Sequence, residues 1–81
     1  MRSAWRKTAA ERIAALTQRE REVMDLIVQG RPNKIIAESL GISQRTVEHH
    51  RAAVMKKTGA TTLPNLVRLA IAADDGQSTD I

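Results

Sequence analysis

The chain has 81 residues, of which 42% are hydrophobic, and it contains one aromatic residue and no cysteine. This length suits one small domain with an aliphatic core, and the composition excludes a disordered chain, a disulfide framework and a thiolate metal site. No apolar run is long enough to cross a membrane and no hydrophobic signal segment is present, so we expect a cytoplasmic protein without a membrane partner.

The charge is basic and unevenly distributed. Thirteen basic and nine acidic residues give a net charge of +4, and the sequence pI is about 10.4. Three of the acidic residues lie within 74–81, so the preceding body is more basic than the total suggests. This balance favours a polyanionic partner, although a basic small domain alone is modest evidence for one.

The first predicted element is a helix over residues 3–16. Apolar side chains recur along one side of it at Trp5, Ala9, Ile13 and Leu16. Two interpretations remain open for this segment. It is either an N-terminal arm that is helical only in part, or the end of a connector from a preceding domain.

A capping box opens the second predicted helix. Thr17 and Glu20 have the spacing at which each side chain accepts from the other residue's backbone amide. The helix ends at Gly30, and Asn33 is predicted to cap the helix that follows the Arg31-Pro32 turn. Its predicted core residues are Val23, Leu26 and Ile27, with Met24 and Val28 at the edges.

Residues 33–58 have the pattern of a helix-turn-helix. Two helical patterns meet at Gly41-Ile42-Ser43, where glycine permits the positive φ of a tight turn and serine can cap the second helix. In the first helix, Ile36, Ala37 and Leu40 are predicted to face the core. Lys34 lies in its first turn, where free amides and a cation suit a DNA phosphate. The alternative for Lys34 is a solvated surface lysine.

The second helix of this motif, residues 44–58, has two distinct faces. Val47, Val54 and Thr58 are predicted to face inward, with His50 and Arg51 beside them. The opposite face is polar and free of bulky apolar groups, as expected of a helix that enters the major groove. Its residues are Arg45, Glu48, His49, Ala52 and Lys56.

Individual side chains on this helix suit different contacts. Glu48 could accept from cytosine N4, or it could pair with Arg45 or Arg51. Thr46 and Lys57 lie on one flank and are better candidates for phosphate than for base contacts. His49 and His50 point about 100° apart, so they cannot chelate one metal together, and no metal or cofactor is expected.

A last helix is predicted over 63–73, with Thr61 or Thr62 as its cap and Pro64 in its first turn. The helix is apolar over more of its circumference than one core requires, which suggests a second copy of the chain across a two-fold axis. The alternative is that the N-terminal helix covers the surplus. Its inward stripe is predicted to be Leu63, Leu66, Val67 and Ala70, with Leu69 and Ile71 on either side, and these six residues form the predicted dimer surface.

The order and spacing of these motifs resemble the LuxR/GerE family of DNA-binding domains, and most of all the effector domains of FixJ- and NarL-type response regulators. The resemblance covers about residues 15–73. The matching positions are Leu16, Thr17, 19–23, Gly30, Pro32, Asn33, Lys34, Ile36, Ala37, Leu40, Ile42, Ser43, 45–48, 50–52, Val54, Met55, Lys57, Leu63, Pro64 and 66–68.

The resemblance implies an all-α, four-helix bundle with an additional N-terminal connector helix, binding double-stranded DNA as a homodimer. Its third helix would enter the major groove and its fourth would form the dimer. The implied base contacts are Glu48, His49 and Ala52, to which we add Arg45. The implied backbone contacts are Asn33, Lys34, Thr46 and Lys57, with His50 half-buried beside the phosphates, and we add Lys56.

Two positions depart from the family pattern. His49 replaces a common aliphatic residue, which puts any borrowed target sequence in doubt because histidine can donate to or accept from a base edge. Thr58 replaces a common Leu or Met, which is expected to weaken packing under the end of the recognition helix.

We therefore predict three segments: a connector helix over 1–16, a DNA-binding domain over 17–73 and a disordered tail over 74–81. The predicted function is sequence-specific transcription regulation, as the effector domain of a two-component response regulator. Sixteen residues before Thr17 cannot hold a receiver domain, so the chain is expected to be an excised effector domain or a stand-alone relative.

Two other functions remain open. One is a sigma-factor-like promoter-reading domain with RNA polymerase as its partner, and the other is a protein-interaction module that has lost DNA binding. An enzyme is not expected, because the sequence has no nucleophile and base pair, no carboxylate dyad and no phosphate-binding loop.

Overall fold

The computed structural model describes the backbone of residues 2–77 and the side chains of residues 7–74. Five helices occupy this part of the chain: α1 (Arg2–Ala14), α2 (Gln18–Val28), α3 (Asn33–Leu40), α4 (Gln44–Thr58) and α5 (Leu63–Gln77). The predicted all-α fold with an additional N-terminal helix is confirmed. None of the described helices is long and apolar enough to cross a membrane.

Local sequence signals set most of the helix boundaries. Thr17 and Glu20 form the predicted capping box ahead of α2, and the Ser43 hydroxyl accepts from the Thr46 amide at the start of α4. Gly41 ends α3 in the left-handed region with φ 68°, which a glycine adopts without strain. The predicted cap at Asn33 is wrong. Pro32 occupies the N-cap position of α3, and Asn33 is the first helical residue.

The core lies where α1 and α5 pack against the other three helices. Its side chains are Ala9, Ile13, Val23, Met24, Ile27, Ile36, Ala37, Val47, Val54, Leu66, Leu69, Ala72 and Ala73. The predicted inward residues Val23, Ile27, Ile36 and Ala37 are confirmed, whereas Leu26 and Leu40 are only partly buried. Trp5, predicted on the same side of α1, lies outside the residues whose side chains the structure describes.

Helix α5 differs from its prediction in two respects. Its buried side is formed by Leu66, Leu69, Ala72 and Ala73, because α1 packs along it, and Leu63 is exposed. The helix also continues to Gln77, so the tail predicted from residue 74 begins with helical residues. The burial of Ala72 and Ala73 explains this extension, since the helix is still packed at the predicted boundary.

Candidate nucleic-acid interface

The geometry of α3 and α4 depends on a few polar contacts around the turn. The Ser43 hydroxyl accepts from the Thr46 amide at 3.0 Å and lies 2.9 Å from the Thr46 hydroxyl. Farther along α4, Arg51 Nη1 donates to Asn33 Oδ1 at 3.2 Å and so joins α4 to the start of α3. Arg51 therefore holds the two helices together, a role that was not predicted because the residues are 18 positions apart.

The inner and outer faces of α4 are separated as predicted. Val47, Val54 and Thr58 are buried, and His50 and Arg51 are half-buried between the faces. The outer face consists of five exposed residues, which we call the α4 strip: Arg45, Glu48, His49, Ala52 and Lys56. The structure thus brings all four predicted base-contacting residues onto one exposed surface, together with Lys56.

Glu48 makes no ion pair with Arg45 or Arg51 within the described part of the chain, and Arg51 bonds to Asn33 instead. The carboxylate is therefore available on the α4 strip. Its position among basic side chains limits the strip's net charge, so this surface is mixed rather than uniformly positive.

The start of α3 presents backbone amides near a cation. Pro32 makes no side-chain hydrogen bond to the first turn of α3. Lys34 is exposed in that turn, while Asn33 is half-buried and accepts from Arg51. Of the two predicted phosphate contacts here, Lys34 is thus the accessible side chain. Thr46 is half-buried, and its hydroxyl is already within hydrogen-bonding distance of Ser43.

Lys57 has different surroundings from those predicted. Its Nζ lies 2.7 Å from Oε1 of Glu20, the carboxylate of the α2 capping box. Glu20 is 8% exposed, and its pKa is lowered mainly by the hydrogen bond from Lys57 and then by the one from the Thr17 amide. The phosphate contact predicted for Lys57 therefore competes with an existing ion pair between α4 and α2.

The end of α4 is also bonded to α1. Arg12 Nη1 donates to the Thr58 carbonyl oxygen at 3.0 Å, across 46 positions of sequence. The buried Thr58 hydroxyl donates to the Val54 carbonyl at 2.7 Å, so the threonine predicted to weaken this end satisfies its polar group within the helix. Sequence patterns offered no signal for the contact between α1 and α4.

The predicted dimer residues divide into two groups. Leu66 and Leu69 are buried under α1 and cannot contact a second chain, which corrects their assignment to the dimer surface. Leu63 and Ile71 are 43% and 56% exposed, and Val67 and Ala70 are half-buried. Leu63, Val67 and Ile71 recur every four residues and so lie along one side of α5, which we call the α5 stripe.

The two histidines of α4 are adjacent but differ in exposure. The ring centroids of His49 and His50 lie 6.1 Å apart, with His49 exposed and His50 half-buried. Across the described residues there is no group of three or more histidine, aspartate, glutamate or cysteine residues that could hold a metal ion.

Comparison with known proteins identifies the arrangement. The family model of bacterial regulatory proteins of the luxR family matches residues 14–70. The transcriptional regulatory protein FixJ of Azorhizobium caulinodans is 51% identical over 75 residues, which cover 93% of this chain and 36% of that protein. FixJ of Rhizobium meliloti is 54% identical over 67 residues, covering 83% of this chain and 33% of that protein.

A solved structure gives the same result for the fold. The crystal structure of full-length FixJ from B. japonicum superimposes with a TM-score of 0.83 at 44% identity, covering 91% of this chain and 36% of that chain. The chain thus spans about a third of the length of these relatives.

Proposed function

The chain belongs to the luxR family of bacterial regulatory proteins, a family of DNA-binding transcription regulators, and from this membership we propose that α4 is a recognition helix that reads duplex DNA in the major groove. The observation that carries the proposal is the α4 strip. It presents Arg45, His49 and Ala52 on one exposed face of a helix held by a buried apolar face.

The chemistry of the α4 strip suits base edges. Arginine donates to guanine O6 and N7, and a carboxylate accepts from cytosine N4. His49 can donate or accept, and the small Ala52 leaves room for a close approach to the groove. Arg45, Glu48 and His49 are therefore the proposed determinants of sequence preference, with Ala52 as an apolar contact.

Phosphate contacts would come from both sides of this helix. Lys34 adds a cation to the uncapped first turn of α3, an arrangement that favours an anion. Lys56 is exposed at the other end of the strip and has no ion-pair partner among the described residues. Asn33, Thr46 and His50 are half-buried, so we propose them as contacts secondary to the two lysines.

We propose further that the α5 stripe forms a homodimer on DNA. Leu63, Val67 and Ile71 leave apolar surface exposed on one side of a helix whose other side packs on α1. Two such stripes related by a two-fold axis would cover each other and present two recognition helices to a two-fold-related site. Ala70 lies half-buried at its edge.

The relatives favour a specific biological setting. The FixJ proteins of Azorhizobium caulinodans and Rhizobium meliloti are named as transcriptional regulatory proteins. The oxygen regulatory protein NreC of Staphylococcus aureus is 45% identical over 56 residues, which cover 69% of this chain and 26% of that protein. The chain therefore corresponds to one part of such regulators. We propose that it is the effector domain of a two-component response regulator.

Selection of preferred duplexes from a random pool tests the function. The wild-type chain is expected to enrich a two-fold-symmetric site. His49→Ala should change the preference at one base pair by about 1–3 kcal/mol. Lys56→Met, the matched control, should weaken binding to all duplexes alike, because a phosphate contact carries no sequence information.

Two results would reject the proposal. Failure of the wild-type chain to prefer any duplex would exclude sequence-specific recognition. An unchanged preference for His49→Ala, Arg45→Ala and Glu48→Ala together would exclude the α4 strip as the surface that reads bases.

A further inference from the structure

Two adjacent lysines lie in the last turn of α4 and have different surroundings. Lys56 is exposed on the α4 strip, whereas Lys57 Nζ is 2.7 Å from Glu20 Oε1. The Lys57 side chain is 37% exposed and that of Glu20 is 10% exposed. Neighbouring positions with the same charge therefore differ in how freely their ammonium groups can reach a phosphate.

The Glu20 carboxylate is held in place independently of Lys57. The oxygen that accepts from Lys57 also accepts from the Thr17 amide at 3.0 Å, while the Glu20 amide donates to the Thr17 hydroxyl at 3.1 Å. The carboxylate is thus fixed to the first turn of α2. Moving Lys57 away would leave this buried charge with less compensation, which is costly.

We propose that Lys57 is a positioning residue that fixes the rotation of α4 against α2, and that it makes no direct contact with a DNA phosphate. The inference rests on the proposed DNA-binding function. A rotation of α4 about its axis would swing Arg45, Glu48 and His49 relative to the bases. The Lys57–Glu20 pair opposes that rotation because it joins the side of α4 to a fixed point on a neighbouring helix.

Salt dependence separates positioning from phosphate contact. Each phosphate contact that is lost makes the fall of log affinity with log salt concentration less steep by about 0.9. We expect Lys56→Met to show this decrease. Lys57→Met should keep the wild-type slope and lose about tenfold in affinity for the selected site relative to random duplex, about the size of one lost base discrimination.

Glu20→Gln distinguishes the two roles of Lys57, because each role predicts a different change in the salt dependence. If Lys57 contacted phosphate, removing the competing carboxylate would free its ammonium group and steepen the salt dependence. If Lys57 positions the helix, Glu20→Gln should leave the salt slope unchanged. It should also lower the preference for the selected site, as Lys57→Met does. Lys57→Arg, which keeps a cation next to Glu20, should restore the preference.

All four variants should be compared well below their melting temperatures, with helix content checked by circular dichroism. If Lys57→Met does not fold, Glu20→Gln and Lys57→Arg still decide between the two roles. A Lys57→Met slope reduced as much as that of Lys56→Met would overturn the inference, as would unchanged site preference in Glu20→Gln. Absence of any preferred site in the wild-type chain would instead reject the proposed function.

Discussion

The two ends of α4 are held by different kinds of contact. At its start, Ser43 and Thr46 bond to each other within one turn. At its end, Lys57 bonds to Glu20 of α2 and the Thr58 carbonyl accepts from Arg12 of α1, over 37 and 46 positions. The start thus depends on local sequence, whereas the end depends on the packing of the whole domain.

The two halves of α4 therefore differ in their surroundings. The first half has exposed residues that are accessible to a duplex, and we call it the presented end. The second half, whose last turn is bonded to α1 and α2, we call the anchored end. Lys56 and Lys57 are adjacent and carry the same charge, yet only Lys57 is bonded to α2. Substitutions at each end should therefore have distinguishable effects.

The largest expected effect is on the buried side of the anchored end. Val54→Ala removes two methyl groups from a fully buried site and should lower the free energy of unfolding by about 2–3 kcal/mol. Lys56→Ala, two residues farther on and exposed, should change it by less than about 0.5 kcal/mol. Urea denaturation measures both, and equal losses would contradict the assignment of the two faces.

A smaller effect distinguishes the glycines that flank α4. Gly41 and Gly59 both have positive φ, 68° and 74°, so alanine at either is strained by about 1–2 kcal/mol. At Gly59 an added Cβ would also lie 3.0 Å from Arg12 Nη1, whereas at Gly41 it would meet nothing within 4 Å. Gly59→Ala should therefore cost about 1 kcal/mol more than Gly41→Ala, through displacement of the Arg12 bond to Thr58.

The Arg12→Ala background checks the cause of that difference. With the guanidinium removed, the two glycine substitutions should destabilise the domain by similar amounts in chemical denaturation. If Gly59→Ala remained the more damaging change, the contact between α1 and the end of α4 would not be the reason.

Loss of the cap at the presented end should cost less. Ser43→Ala removes the side-chain acceptor for the Thr46 amide and should lower the free energy of unfolding by about 1 kcal/mol. Hydrogen exchange should accelerate in the first turn of α4 and not in its last turn. Ser39→Ala, an exposed change within α3, is the matched control and should have little effect in either measurement.

The smallest effect is a pH dependence at the anchored end. The pKa of Glu20 is lowered from its ordinary value of 4.5, first by the Lys57 hydrogen bond and then by the Thr17 amide. A carboxyl with a lowered pKa stabilises the fold above its ordinary pKa, and this contribution disappears as the pH falls through the lowered value. The difference in melting temperature between wild type and Glu20→Gln should therefore be present at neutral pH and shrink below pH 4.5.

Glu22→Gln provides the comparison for that titration. Glu22 pairs with Arg19 on an exposed surface of the same helix. Such a pair contributes little to stability, so its removal should change the pH profile less than removal of Glu20 does. Parallel profiles for Glu20→Gln and wild type between neutral and acidic pH would show that the Glu20 ion pair does not stabilise the fold.

Local signals predicted the fold well. The Thr17 and Ser43 caps, the positive φ at Gly41 and the inward positions of Val47 and Val54 depend on residues within one or two turns, so short patterns reveal them. The exposed α4 strip followed from the same helical periodicity, which is why its residues were identified together.

Contacts between distant segments were not predictable in this way. The family resemblance implies a phosphate contact for Lys57, but its sequence position does not reveal the carboxylate of a residue 37 positions earlier. For Leu69, the sequence leaves open whether a second chain or the N-terminal helix covers this side of α5, and in the structure α1 covers it. Short patterns could not decide between the two, because three helices separate α1 from α5 along the chain. The sequence predicts Asn33 as a cap, yet Pro32 takes that position and the side-chain oxygen Oδ1 of Asn33 accepts from Arg51.

Nuclear magnetic resonance of the labelled chain, titrated with its selected duplex, tests whether α4 is the helix that contacts the bases. We expect the largest chemical-shift changes in the exposed residues of α4 and the first turn of α3, and intermolecular contacts to bases from Arg45, His49 and Ala52. Base contacts arising instead from α1 or α2, with the α4 strip unperturbed, would contradict it.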